Sequence, residues 1–300
     1  MLVARTGARS RALAVTACVG ALLVAGGCGQ IGGAPPPDES ETAEQCASLL
    51  GADAGGRIVI GMHSDQPGMN FQEDDARRSG FDYEFAKYLG EYCGMTVIEQ
   101  DVSTPQRQEL LQDGVVDVIV ASYSITDARK LEVSFAGPYL KTKQGVMVGA
   151  GSGIESARDL AGRKVCAGRN STSWDQMIKN LPGITAVEAE GFGECTERLL
   201  DGEIDAVTTD QVLLYGYEHE YSGLRVLPGE QFGSAELYGI GLRHGDVELC
   251  EFFNQAIKDY VHSGRWVQQF KNNLPEHLDP DDFKPVDHDL TECPDPEAEQ

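Results

Sequence analysis

The chain has 300 residues, 48 of them acidic against 24 basic, and a net charge of -24 at neutral pH. Such a surface repels polyanions, which excludes nucleic acid as a partner. With 41% hydrophobic residues the chain can bury one large core or two ordinary lobes, so disorder of the whole chain is excluded as well.

The first thirty residues read as an export signal. Arg5, Arg9 and Arg11 precede a small, apolar stretch from Ala12 to Gly27, the charged start and short hydrophobic middle of a secretory signal. The stretch is too short for a membrane span. It ends in Val24-Ala25-Gly26-Gly27-Cys28, and small residues before a cysteine resemble the bacterial lipobox, although Ala25 departs from the usual Leu or Val. Cys18, after Val15-Thr16-Ala17, fits the local pattern better but leaves a hydrophobic middle of only a few residues. Residues 1–27 are therefore assigned as a lipoprotein signal and Cys28 as the lipidation site, with plain secretion as the alternative.

The next stretch, GQIGGAPPPDESETAEQ, is rich in Gly, Pro and acid and has no periodicity. It predicts a solvated tether over 28–56, holding the folded part at the outer face of the cell membrane. Six cysteines remain: Cys46, Cys93, Cys166, Cys195, Cys250 and Cys293. An even number in an exported chain predicts disulfides, with all fifteen pairings open. CxxC and Cys/His spacings are absent, so zinc is not expected, nor is any other metal or cofactor.

From Arg57 onward strand-like and helix-like pieces alternate, the pattern of an α/β fold. RIVIGM predicts a strand. In GFDYEFAKYLGEYCG, Phe81, Phe85, Tyr88, Leu89 and Tyr92 recur at three- and four-residue spacing, one buried helix face; they are read as core rather than a ligand box. STPQRQELLQDG predicts a helix capped by Thr104, with Pro105 first and Gly114 as its stop. VVDVIVAS reads as a buried strand. ELLQDGVVDVIVASYS is then echoed by RLLDGEIDAVTTDQ: a helix ending in Leu-Leu, an Asp-Gly stop, an apolar strand ending in hydroxyls. The echo predicts two α/β lobes, each offering a strand end, where open α/β sheets bind ligands.

Ser122, Ser124, Thr209 and Asp210 fall at such ends. Arg129 follows the two serines, and an arginine fork bonds a carboxylate in two places while hydroxyls and loop amides satisfy its remaining lone pairs. Asp210 is suited to accept from an ammonium group. In GRNSTSWDQMIKN, the cluster Ser171 to Ser173 opens a helix whose first amides attract anions. Together these predict a clamp for a zwitterion; the plainer readings are a surface pair of Arg129 with Asp127 or Glu132 and an ordinary cap at Ser171 or Ser173.

Over roughly residues 57 to 275 the chain resembles the polar amino-acid solute-binding proteins (family 3) that feed bacterial ABC importers. The resemblance rests on GFDYEFAKYLGEYCG, SITDARK, GRKVCAGRNSTS and IDAVTTD in that order, with Tyr83 where a smaller aliphatic residue is usual. It implies a two-lobed periplasmic-binding-protein-like α/β fold of type II, hinged near Tyr139 to Lys143 and near Glu236 to Gly239. Lobe I takes 57–138 and 239–274, lobe II with the hinge strands 139–238, and an acidic tail over 275–300, read as a solvated strap tied back through Cys293, completes the chain. By matching position, Arg129 holds the α-carboxylate with Ser122, Ser124 and Ser171 or Thr172, and Asp210 the α-ammonium. Arg107, in the pattern Arg-x-x-Leu-Leu-Gln-x-Gly, faces a distal carboxylate, with His63 beside it and Arg169 in second rank.

Within the family, DQPGMNF, PQRQELLQDGVVD, AGPYLKTKQGVMV and TTDQVLLYGYEHEYSG resemble the glutamate-binding lipoproteins of actinobacteria. That likeness implies glutamate first, aspartate next, with glutamine or asparagine as the alternative. It also implies a monomer, ABC permease subunits as partners, and a Cys166–Cys195 disulfide; Cys46 with Cys93 and Cys250 with Cys293 is the simplest completion. A dehydratase-like enzyme on the same fold needs an acid placed for proton transfer, for which lobe II offers only Glu188, Glu190 and Glu194, and nothing in their context marks them. No enzyme activity is expected.

Overall fold

The computed structural model describes residues 39–74 and 77–293; the signal segment, Cys28 and the last seven residues lie outside them. Where the sequence predicts tether up to residue 56, Glu39–Leu50 forms a helix, α1. Thr42, Cys46 and Ala47 are buried in it, and a disulfide joins Cys46 to Cys93. So narrow an apolar stripe, set among acids and small polar residues, has the composition of a solvated segment.

β1 (Arg57–Met62) follows, then a small antiparallel sheet of β2 (Asp65–Gln66), β3 (Asn70–Asp74) and β4 (Arg77–Ser79). α2 (Phe81–Tyr92) buries Phe81, Phe85, Tyr88 and Leu89, the face its spacing predicts. The rings of Phe81 and Trp266 lie 5.2 Å apart, those of Tyr88 and Tyr260 4.6 Å, each buried aromatic stabilising the lobe by about 1.5–3 kcal/mol. β5 (Thr96–Asp101) runs parallel to β1.

A 3-10 turn, Thr104–Gln106, leads into α3 (Arg107–Gln112). Its cap is Ser103, one residue before the predicted Thr104: the Ser103 hydroxyl and amide both donate to Gln106 Oε1, at 2.9 and 3.0 Å. β6 (Val118–Ile119) is much shorter than the strand expected over VVDVIVAS, because the chain turns at Ser122, described below. α4 (Asp127–Lys130) and the long β7 (Ser134–Gly149) come next.

Lobe II is built from β8 (Lys164–Gly168), α5 (Thr172–Asn180), β9 (Thr185–Ala189), α6 (Phe192–Leu200), β10 (Ala206–Asp210), α7 (Gln211–Glu220) and β11 (Leu224–Val226). β12 (Phe232–Leu242) returns to lobe I, which α8 (Val247–His262) and α9 (Arg265–Asn273) complete. One sheet runs β5-β1-β6-β12-β7-β10-β8-β9, with β11 on β7. β7 and β12 pass through both lobes. Their shared middle pairs Leu140 with Tyr238, Lys141 with Leu237 and Thr142 with Glu236, where the hinge crossings are expected.

The tail also departs from a solvated strap. α10 (Pro280–Phe283) lays Phe283 5.2 Å from the Phe270 ring, and Thr291 Oγ1 donates to the Phe135 carbonyl at 3.1 Å. Disulfides join Cys250 to Cys293 and, inside lobe II, Cys166 to Cys195. Apolar residues too sparse to show a period, Leu278 and Phe283 among them, hold the tail down. The Cys250–Cys293 bond closes a loop of 43 residues, so replacing both cysteines by serine is expected to cost about 2–4 kcal/mol and lower the melting temperature by roughly 5–12 °C. An unchanged melt would show that the tail is held without the bond.

Candidate functional site

The bend at Ser122 organises the lobe I side. Val120 still donates to the Gly61 carbonyl at 2.9 Å, but Ser122 adopts φ 45°, a left-handed conformation that a serine takes only when its surroundings hold it there. Asp82, fully buried in the first turn of α2, supplies the hold. Its carboxylate accepts from the Ser122 amide (2.9 Å), the Ser122 hydroxyl (3.2 Å) and the Tyr139 hydroxyl (2.9 Å). Burial raises the Asp82 carboxyl to about 6, against the pull of those donors and of Arg107. The Ser122 hydroxyl also reaches Gln66 Oε1 at 2.9 Å.

Arg107 opens α3 and is only 4% exposed. Nε donates to the Thr104 carbonyl (3.1 Å), and Nη1 to those of Ala121 (2.9 Å) and Ser122 (3.2 Å). Burial, with Arg129 adding repulsion, lowers its pKa to about 9, so it stays charged at neutral pH. Among the described residues no carboxylate lies in ion-pair contact with it. A buried charge without a counter-ion is costly, and the group is therefore poised for an anion.

Arg129 lies in α4, where Thr126 caps its amide at 3.2 Å. Nη1 donates to the Ser124 carbonyl (2.7 Å) and Nη2 crosses to the Asn170 carbonyl of lobe II (3.1 Å); neither Asp127 nor Glu132 pairs with it. Both guanidiniums lie over the Tyr123 ring, Arg107 Cζ at 4.4 Å and Arg129 Cζ at 4.8 Å from its centre. Burial lowers the Arg129 pKa, opposed by Tyr123, Glu236 and Asp210.

On the lobe II side, Ser171 caps α5 by accepting from the Trp174 amide at 3.1 Å and donates to the Gly168 carbonyl at 2.6 Å. That cap leaves the Thr172 and Ser173 amides, at the positive end of the helix. Thr172 Oγ1 meets Ser124 Oγ across the cleft at 3.3 Å, and Ser173 Oγ meets Thr209 Oγ1 at 3.2 Å. Asp210 ends β10 and is buried. It accepts from Gln144 Nε2 (2.6 Å) and the Tyr238 hydroxyl (2.5 Å), one from each hinge strand. Burial, with Glu236 adding repulsion, pushes its carboxyl well above the usual range, while Tyr238, Arg129 and Arg107 oppose the shift.

One small, partly open pocket between the lobes is lined by His63, Arg107, Ser122, Ser124, Arg129, Ser171, Thr172 and Asp210, the ligand residues named in first rank from the sequence. Gln66, Thr104, Ser173, Phe192 and Leu213 complete the wall. Larger hollows lie along α1 and α8 and beside the C-terminal strap, but neither gathers buried charge. His63 contributes no charge: burial, then Arg107, lowers its pKa to about 3. Arg169 points elsewhere, paired with an exposed Glu190. Glu188, Glu190 and Glu194 are exposed and lie outside the cavity wall.

Of the groups that shape the cavity, Asp82 stands inside the Gly-Phe-Asp motif, which is its only signal in the sequence. Gln144 is the direct cross-strand partner of Asp210, and that register is set by long-range pairing that local sequence does not reveal.

A sequence profile of the bacterial extracellular solute-binding proteins, family 3, matches residues 58–275. The chain belongs to this family. Among family members, the glutamate-binding protein GluB of Corynebacterium efficiens is 34% identical over 241 residues, covering 76% of this chain and 82% of the relative. The ABC transporter glutamine-binding protein GlnH of Bacillus subtilis is 30% identical over 261 residues, covering 85% and 94%. Of solved structures, an ancestral arginine-binding protein bound to glutamine gives a TM-score of 0.67 at 29% identity, over 73% of this chain and 97% of that one. The solute receptor for L-cysteine of Neisseria gonorrhoeae gives 0.73 at 24% identity, over 80% and 99%, a likeness of fold.

Proposed function

We propose that the protein captures an acidic amino acid, glutamate before aspartate, between its lobes and delivers it to the permease of an ABC importer. Lipid on Cys28, which lies outside the described residues, would hold it at the outer face of the membrane. The observation that carries the reading is that one small cavity is lined by Arg129, by Asp210 and by a further, buried cation, Arg107, with no acid in ion-pair contact with Arg107 among the described residues. The α-carboxylate takes Arg129 with the Thr172 and Ser173 amides, the ammonium takes Asp210, and the distal carboxylate takes Arg107. Ligand contacts on both lobes favour the shut arrangement, so binding draws the hinge closed.

Glutamine is the second reading, favoured by a neutral His63 beside the distal position and by the likeness to a glutamine-binding protein. Calorimetric titration with glutamate, aspartate, glutamine and asparagine separates the two. Glutamate in the lead supports the first reading; glutamine in the lead moves Arg107 out of its role; no binding to any of the four overturns the amino-acid reading.

A proton should leave with closure. With the cavity empty, burial between the lobes raises the Asp210 pKa, and an ammonium beside it lowers it, so entry of the ligand into the shut arrangement releases a proton in the window between the lowered and the raised value. Affinity therefore rises as pH rises through the raised pKa and falls in acid. Titrations in buffers of different ionisation enthalpy measure the release; identical heats in all of them would contradict it.

A further inference from the structure

One turn of lobe I meets three glycines of lobe II. It is Asp65–Gly68, made of β2 and the start of the turn that leads to β3. Asp65 Oδ2 accepts from the Gly193 amide in the first turn of α6 at 3.1 Å, and the Asp65 carbonyl accepts from the Tyr217 hydroxyl of α7 at 2.8 Å. A Cβ on Gly193 would lie 2.8 Å from that carboxylate oxygen, and one on Gly191 2.9 Å. Gly216 comes closer: a Cβ there would stand 1.9 Å from the Pro67 carbonyl oxygen.

Gly216 sits in the interior of α7, where glycine is the poorest residue short of proline. The three nearest atoms that a Cβ there would meet outside its own helix all belong to Pro67 and Gly68 of lobe I. Gly191, Gly193 and Gly216 flank or lie in two different helices, yet all three are cut back against the same turn. None of the three lines the cavity, so the ligand does not account for them.

We propose that Asp65, Pro67 and these glycines, none of which lines the cavity, form a closure seam, a docking contact made when the lobes are shut that sets how tightly the protein holds its ligand without touching it. The Asp65 carboxylate rests on the positive end of α6, and the Cys166–Cys195 disulfide ties that helix to β8, so lobe II offers a fixed face. The seam adds to the shut arrangement whatever ligand is inside. Blocking it leaves the ligand's own partners in place but depopulates the state in which both lobes reach it. The inference rests on the hinge closure proposed above.

The test uses Gly216→Ala and Asp65→Ala in the purified full chain, with L-glutamate and L-glutamine as probes. Gly216→Ala should melt no lower than the parent, because alanine favours the helix, yet bind both probes at least about tenfold more weakly. Asp65→Ala should weaken both by about five- to tenfold, chiefly through faster dissociation. Small-angle scattering should show less compaction with ligand in each variant. Parent-like affinity and compaction in both variants would overturn the seam, as would a lower melting temperature for Gly216→Ala, which would make the contact part of the fold in both arrangements. If the parent itself binds a probe without compaction, hinge closure fails and the seam falls with it.

Discussion

Replacing Arg129 with alanine weakens binding of any α-amino acid by about two to three powers of ten while the fold survives. In the proposed clamp the guanidinium supplies the charge for the α-carboxylate; in the structure it donates to the Ser124 carbonyl at 2.7 Å and to the Asn170 carbonyl of lobe II at 3.1 Å. Its removal takes away a ligand contact and a link between the lobes together. Because Arg129 is only half-buried and caps no core element, circular dichroism and thermal melting should change little. A variant that folds normally and binds glutamate like the parent would remove Arg129 from the clamp.

Arg107→Gln produces the second large effect, on selectivity. Glutamate affinity falls by about 10- to 100-fold, since a charge-assisted contact to the distal carboxylate is lost. Glutamine affinity changes much less, so the preference between the two narrows or inverts. The ratio is the useful readout, because Arg107 also supports the Ala121 and Ser122 carbonyls, and damage to that support would weaken both ligands alike. Equal losses in competing titrations would assign Arg107 a structural role only.

Much of the candidate site's lining is legible in the sequence because it is concentrated at strand ends and helix starts, where single residues such as Arg129, Ser171 and Asp210 carry local signals. The alternation from RIVIGM onward and the echoed strand ends placed the two lobes for the same reason. What local sequence hid is what long-range pairing creates. Tyr123 lies under two guanidiniums only because the loop after β6 turns at Ser122. Gln144 and Tyr238 meet Asp210 only through the hinge-strand register. α1 and the tail have the composition of solvated segments because each buries only a few residues beside a disulfide, too few to imprint a period on an acidic stretch. One practical consequence is that a chain begun at residue 57 would leave Cys93 without its partner.

The most direct test of the zwitterion clamp is calorimetric titration with glutamate beside two analogues, glutarate, which lacks the ammonium group, and 4-aminobutanoate, which lacks the α-carboxylate. The account predicts that glutamate binds near the micromolar range, about -8 kcal/mol, and that each analogue is weaker by at least about a hundredfold. Glutarate or 4-aminobutanoate binding as tightly as glutamate would contradict the assignment of Asp210 and Arg129 as the two jaws.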